Sequence, residues 1–368
     1  MPRFSVRNVV VAVNLALLVL LALHLKQVLW DPDTPFPDLF ASDDDGYGGG
    51  NAHDLDAERG LDGVRTDNEW RSKDGKTLQV NGGSTSSSVL DAKGRAKERK
   101  TAVVVASQAG EDAAWIGAAF PGWTTHVYRV DEPGAKLTVP KNKGRESMVY
   151  LTYIIDHYDK LPDNILFLHP TRFQWHNDDP DYDGLPMLRR LQLPLLEAQG
   201  YLNLRCAWQL GCPAEIKPLA EEGEHRAAIH AGGDYKAAFE VLFPERPVPR
   251  EVGVSCCAQF GATREKIRAR PLADYVRFRA WLLDTPLADS ISGRIFEYSW
   301  HMVFGKEPVH CPSAKECYCR VFGLCDLDCR EEGSCEGRYI LPPFSSLPQG
   351  WPLVGWKGEP RKRMGSEG

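Results

Sequence analysis

The chain has 368 residues and a formal net charge of -6, with 43% hydrophobic and 26% charged residues. That length admits one α/β domain with appendages or two average domains. The negative balance excludes a general nucleic-acid coat, because neutralising phosphates needs a concentrated basic surface.

In chain order, Val9 to Leu25 is almost wholly apolar, with Arg3 and Arg7 ahead of it and Asp31 and Asp33 behind. This predicts one transmembrane helix, an uncleaved signal anchor whose short N-terminal side is cytoplasmic. A cleaved signal peptide is the rival, but no small-x-small site follows the apolar run. The expectation is a single-pass type II membrane protein of the secretory pathway, in the Golgi or endoplasmic reticulum, with its bulk lumenal and residues 1–30 as tail and anchor. Residues 31–100 are rich in Asp, Gly and Ser (Asp43-Asp44-Asp45, Gly48-Gly49-Gly50, Ser84 to Ser88). Such a segment buries too little to offset its ordering entropy and reads as a disordered, flexible stem.

The composition changes at Thr101. Ala102 to Ala106 is a β-branched run, Asp112 to Phe120 suits a short helix, and Thr124 to Val130 alternates as a strand. Met148, Leu151, Ile154, Ile155 and Tyr158 recur at helical spacing, and Pro162 closes that helix before the apolar run Ile165 to Leu168. Further on, Met187 to Ala198 (broken by Pro194), Thr263 to Asp284 and Ser290 to Phe304 read as helices. Tyr201 to Trp208 and Val252 to Phe260 read as strands. Alternating strands and helices predict an α/β fold over residues 101–305, with a largely parallel sheet and flanking helices of Rossmann type. A cysteine-rich module over 306–346 and a tail over 347–368 follow.

All ten cysteines fall between Cys206 and Cys335, six of them in Cys311 to Cys335. An even count at that density predicts disulfides formed in an oxidising compartment. A zinc site on Cys317, Cys319, Cys325 and Cys329 is the alternative, without paired C-x-x-C knuckles to carry it. Adjacent residues of a strand face opposite ways, so Cys256 and Cys257 are expected to take different partners.

Candidate chemistry gathers around Lys141 to His176. Lys141, Lys143, Gly144 and Arg145 flank a helix start, where free N–H groups and the helix dipole suit a diphosphate; a solvated basic loop is the plain alternative. If the two apolar strands are parallel neighbours, their carboxyl ends bring Ser107 and Gln108 near His169 and Arg172, and the helix start with Glu146 lies on the same edge. His169 and His176 with Asp179 and Asp181 combine imidazoles and carboxylates suited to a divalent cation such as manganese, against the alternative of an acidic turn. Glu297 and His301 stand four apart on one helix and suit a general base, or a helix-internal hydrogen bond. Trp175, Trp281 and Trp300 offer stacking faces, although tryptophans more often fill cores.

The runs VVVASQAGEDAAWI, VPKNKGRESMVYLTYIIDHYDKLPDNILFLHPTRFQWH, LNLRCAWQLGCPAEIKP, SCCAQFGATREKI, SGRIFEYSWHMVFG and CPSAKECYCRVFGLC resemble the fungal family catalogued as domain of unknown function 3431, from about Thr101 to Trp356. A looser likeness is to lumenal glycosyltransferases of the GT-A type, on the opening strand, the pattern Gln259, Phe260, Arg264, Glu265, and the helix bearing Glu297. That likeness implies a nucleotide-sugar donor, a glycan acceptor, a divalent metal and a binding role for Gln259. The Asp-x-Asp that usually holds the metal is absent here, where Ile165 to Leu168 runs into His169-Pro170. Two functions follow: a membrane-anchored glycosyltransferase-like enzyme, or a non-catalytic lumenal or cell-surface binding protein.

Overall fold

The structure is a computed structural model that describes residues 70–71, 77–78, 99–224 and 230–362. The anchor expected at Val9 to Leu25 lies outside the described residues. Among the described residues no helix is long and apolar enough to cross a membrane. The stem also lies outside them, apart from residues 99 and 100 and an antiparallel ribbon of Trp70–Arg71 with Thr77–Leu78.

The main body runs β1 (Thr101–Ser107), α1 (Ala114–Ala119), β2 (Thr124–Arg129), α2 (Ser147–His157) and β3 (Asn164–Leu168). It continues through α3 (Gly184–Arg190), α4 (Leu193–Gln199), β4 (Tyr201–Asn203), α5 (Gly232–Leu242), β5 (Gly253–Val254) and β6 (Phe260–Thr263). Then come α6 (Arg264–Arg268), α7 (Leu272–Asp284), α8 (Asp289–Glu297), α9 (Trp300–Val303), β7 (Val309–His310) and α10 (Ala314–Phe322).

The five-stranded sheet has the order β2-β1-β3-β6-β4. β1 pairs parallel with β2 and with β3, as two crossovers through helices require. β6 then runs antiparallel to β3, and β4 antiparallel to β6. The expectation of a largely parallel, Rossmann or GT-A type sheet is therefore corrected: the sheet is mixed. The apolar runs report burial on both faces, and that signal is the same for a strand of either direction. Val103, Val105, Leu166 and Leu168 face one layer with α3, α4 and α10. Val104, Ile165 and Phe167 face the other, under α2, α5, α7, α8 and α9.

Three segments divide where the periodicity suggests continuity. Val252 to Phe260 splits into β5, which pairs parallel with β7, and β6, with a loop between them. Helix Thr263 to Asp284 breaks at Pro271, which heads α7, since proline cannot donate within a helix. Helix Ser290 to Phe304 breaks at Tyr298–Ser299, so Glu297 and His301 do not share a continuous face.

Every cysteine is oxidised. Cys206–Cys317 and Cys212–Cys311 staple the cysteine-rich segment to the sheet body, while Cys319–Cys325 and Cys329–Cys335 close small loops inside it. Cys256 and Cys257 bond to each other, contrary to the expectation of separate partners. The strand argument fails because these residues sit in the β5–β6 loop, where Cys257 has φ 88° and Ala258 φ 47°.

Candidate functional site

The carboxyl ends of β1 and β3 and the start of α2 open onto one cleft, about 500 Å³ with its mouth included, lined by Ser107, Gln108, Arg145, Glu146, His169 and Asp289. A helix start beside the ends of two parallel strands is the usual place for a ligand in such sheets.

The approach to α2 is clamped from α8. The Asp289 carboxylate accepts hydrogen bonds from the backbone N–H groups of Gly144 at 2.5 Å and Arg145 at 3.3 Å. Gly144 has φ 70°, and a Cβ there would meet Leu282 Cδ1 at 2.5 Å, so both backbone and packing require glycine. Arg145 follows at φ 52°, a conformation that costs a non-glycine residue about 1–3 kcal/mol and gathers at functional sites. A Cβ built on Gly293 would lie 3.0 Å from Arg145 Cγ, so the missing side chain gives the arginine stem its bed on α8. The exposed guanidinium takes no carboxylate partner among the described residues.

Behind it Glu146 is only 8% exposed. Burial first, and the Glu297 carboxylate second, push its carboxyl up to about 8 from an ordinary 4.5. Between those values the folded protein keeps a proton that the unfolded chain has lost. Stability through Glu146 therefore falls as pH rises, by up to about 1.4 kcal/mol per unit. His169 and His176 act oppositely: burial lowers both, so the stability they contribute is lost as pH falls below their unfolded value of 6.5. Glu146→Gln is expected to melt above the wild type at pH 8, with the gap closing towards pH 5. Melting curves across that range check it, and a gap independent of pH would show that this carboxyl does not hold a proton in the fold.

The two imidazoles stack with ring centroids 4.2 Å apart, and Trp175 lies 4.1 Å from His176. Gln259 braces them: its Oε1 accepts from His169 N–H at 3.1 Å, and its Nε2 donates to His176 O at 3.2 Å and Asn177 Oδ1 at 3.1 Å. His176 Nδ1 is buried without a hydrogen-bond partner. After burial, the charges of His169, Arg205, Arg145 and Arg294 all push the His176 pKa down.

The Cys256–Cys257 loop ties this cluster together. Cys257 N–H donates to Glu297 Oε1 at 2.5 Å, Cys257 O lies 2.9 Å from His169 Nε2, and Arg205 Nη1 reaches Cys257 Sγ at 3.2 Å. Arg294 Nε lies 3.8 Å from Glu297 Oε2. One loop residue thus positions a carboxylate, an imidazole and a guanidinium.

Several expected site residues lie elsewhere. Lys141 is exposed and outside the lining, and Lys143 Nζ donates to Thr285 O at the end of α7. Arg172 makes a bidentate pair with Asp183 at 2.8 and 2.7 Å, which closes the loop after β3. His301 is fully buried, with Nε2 2.9 Å from Pro308 O and a pKa lowered by burial to about 3, so it does not reach the cleft. Gln259 is a brace rather than a cleft wall. Asp289 and Arg205 do not stand out in the sequence; a helix-starting Asp is a signal for the first, but nothing local pairs it with Gly144.

The expected metal set does not assemble. Asp179 Oδ1 accepts from the N–H groups of Asp181 and Asp183, and Asp181 Oδ1 accepts from Arg361 Nη2 at 2.8 Å, so this acidic run is an inward-facing turn. His169 Nε2 is taken by Cys257 O at 2.9 Å. Among the described residues only Cys256, Cys257 and Glu297 bring three ligand atoms close together, and the two sulfurs are bonded to one another. This donor set does not fit manganese or magnesium, which prefer oxygen ligands.

The fold and site define a mixed α/β domain whose cleft sets one exposed arginine, Arg145, beside the carboxyls of Glu111, Glu146 and Asp289. The family described as "Protein of unknown function (DUF3431)" matches residues 103–320, and the chain belongs to that family. No curated protein and no solved structure matches the chain.

Proposed function

We propose that the chain is a transferase that takes a sugar from a nucleotide-sugar donor and passes it to a hydroxyl of a glycan acceptor, in the cleft between β1, β3 and α2. The observation that carries this reading is the pairing of an exposed, unneutralised Arg145 at a helix start with two nearby carboxyls of different character. The Arg145 guanidinium suits the donor diphosphate and would stabilise the charge that grows on the leaving nucleoside diphosphate. Glu146 is held in its protonated form by burial and by Glu297. Glu297, whose Oε1 accepts the Cys257 N–H at 2.5 Å, is the general base of this reading.

In the transfer step the acceptor oxygen bonds to the anomeric carbon, the bond from that carbon to the diphosphate oxygen breaks, and the acceptor proton passes to Glu297. His169, neutral because burial lowers its pKa, would orient the substrate by a hydrogen bond. No step needs a metal ion. The five disulfides support an oxidising compartment, and the domain is placed by this reading in the lumen of the secretory pathway.

A panel of nucleotide sugars tests the reading. At a hundred times its Kd the correct donor should add about 2.7 kcal/mol to stability and raise Tm by several degrees. Arg145→Ala should abolish that shift while its ligand-free Tm stays near the wild type. If no nucleotide sugar shifts Tm, or if Arg145→Ala shifts as far as the wild type, the reading fails.

A further inference from the structure

At the far edge of the sheet, away from the cleft, β4 has a neighbour on one side only. Its register with β6 pairs Leu202 with Gly261, and Leu204 N–H donates to Gln259 O while Thr263 N–H donates to Gly200 O. Residues 200, 202 and 204 therefore spend their backbone groups on β6. Tyr201 and Asn203, in the alternate positions, turn N–H and C=O outward. An open edge of this kind is normally covered or charged.

Here it faces a pocket of about 580 Å³ with its open mouth included. Leu195, Leu202, Pro312 and Val321 give it apolar walls. Cys317 lies in the wall formed by α10 and is bonded to Cys206 just beyond β4, so this wall is held in place covalently. Lys306 stands at the rim with one hydrogen-bond partner, Gln199 Oε1, at 3.4 Å. The one acidic residue among the described residues of the lining, Glu316, is taken by Arg320 at 2.8 Å. Burial, followed by the charges of Lys266 and Arg320, lowers the Lys306 pKa, as expected for an ammonium among cations without a counter-ion. Apolar walls with a few convergent polar groups are the usual make-up of a small-molecule site.

We infer that this pocket is a second ligand site, for a small carboxylic acid with a short apolar tail. The carboxylate pairs with Lys306 and reaches the outward N–H groups of β4, and the tail packs on Leu195, Leu202 and Val321. The inference does not depend on the proposed transferase activity, because it uses none of the cleft residues.

Octanoate is the probe, titrated calorimetrically into the full chain, with octan-1-ol as the neutral counterpart. The expected result is saturable one-to-one binding of octanoate, at least tenfold weaker binding of octanol, and a loss of at least tenfold in Lys306→Met, which keeps the apolar stem. Arg145→Ala should bind octanoate within twofold of the wild type. Arg320→Gln provides a second charge removal if Lys306→Met melts early, and should weaken binding severalfold. No saturable binding, equal binding of octanol, unchanged affinity in the charge-removed variants, or loss of binding in Arg145→Ala would each overturn the site.

Discussion

Glu297→Gln is expected to lower the transfer rate by about 10²–10⁴-fold, the range over which a positioned general base contributes, while donor affinity stays within about twofold. The amide is the right control because its oxygen can still accept the Cys257 N–H, which the wild-type carboxylate does at 2.5 Å. Loss of the negative charge also removes a neighbour that raises the Glu146 pKa, so Glu146 in the variant should ionise at lower pH. Single-turnover rates, together with donor-induced Tm shifts, separate the two effects. A variant that transfers at the wild-type rate would remove Glu297 from the chemistry; one that loses donor binding would make it a structural support for the β5–β6 loop.

The second large effect concerns the two staples. Cys206–Cys317 and Cys212–Cys311 close loops of 111 and 99 residues, one nested inside the other. With either bond cut, the other still closes the long loop, and only roughly a dozen residues gain freedom, which is worth about 3 kcal/mol. With both cut, the long loop opens as well, and the chain-entropy cost rises to about 7–8 kcal/mol. That is comparable to the whole stability of many domains. Cys206→Ala with Cys317→Ala, and Cys212→Ala with Cys311→Ala, should each leave a folded protein of lower Tm. The fourfold variant should lose more than the sum of the two, probed by denaturant unfolding. Additive losses would show that the bonds act through local packing and not through loop closure.

Much of the cleft is legible in the amino-acid sequence. Strand and helix order alone places Arg145 and Glu146 on the same edge as Ser107, Gln108 and His169, and these residues line one cleft. The inference holds because a right-handed crossover between parallel neighbours leaves the chain little choice about where the intervening helix begins. His301 is not legible in the same way. Its spacing from Glu297 assumes an unbroken helix, and the break at Tyr298–Ser299 buries the imidazole against Pro308. Nor does the sequence reveal the fate of Arg172, Asp179 and Asp181, because their residue types suit a ligand site and a self-satisfied turn equally well.

By itself the sequence determined the local elements from β1 to β3, the two-faced burial of the sheet, the oxidised state of the cysteines and membership of the family. These rest on periodicity, composition and long motifs, which act over neighbouring residues. Only the tertiary structure decided the direction of β6, the Asp289 clamp on Gly144, and the bond between Cys256 and Cys257. Each of these depends on a partner or a local backbone turn that periodicity does not encode. Asp289 lies 145 positions from Gly144, and Cys257 lies 88 from His169 and 40 from Glu297. Such pairings are fixed by packing two layers of helices onto a mixed sheet, where the burial of apolar side chains is satisfied by either strand direction and the backbone hydrogen bonds then select one.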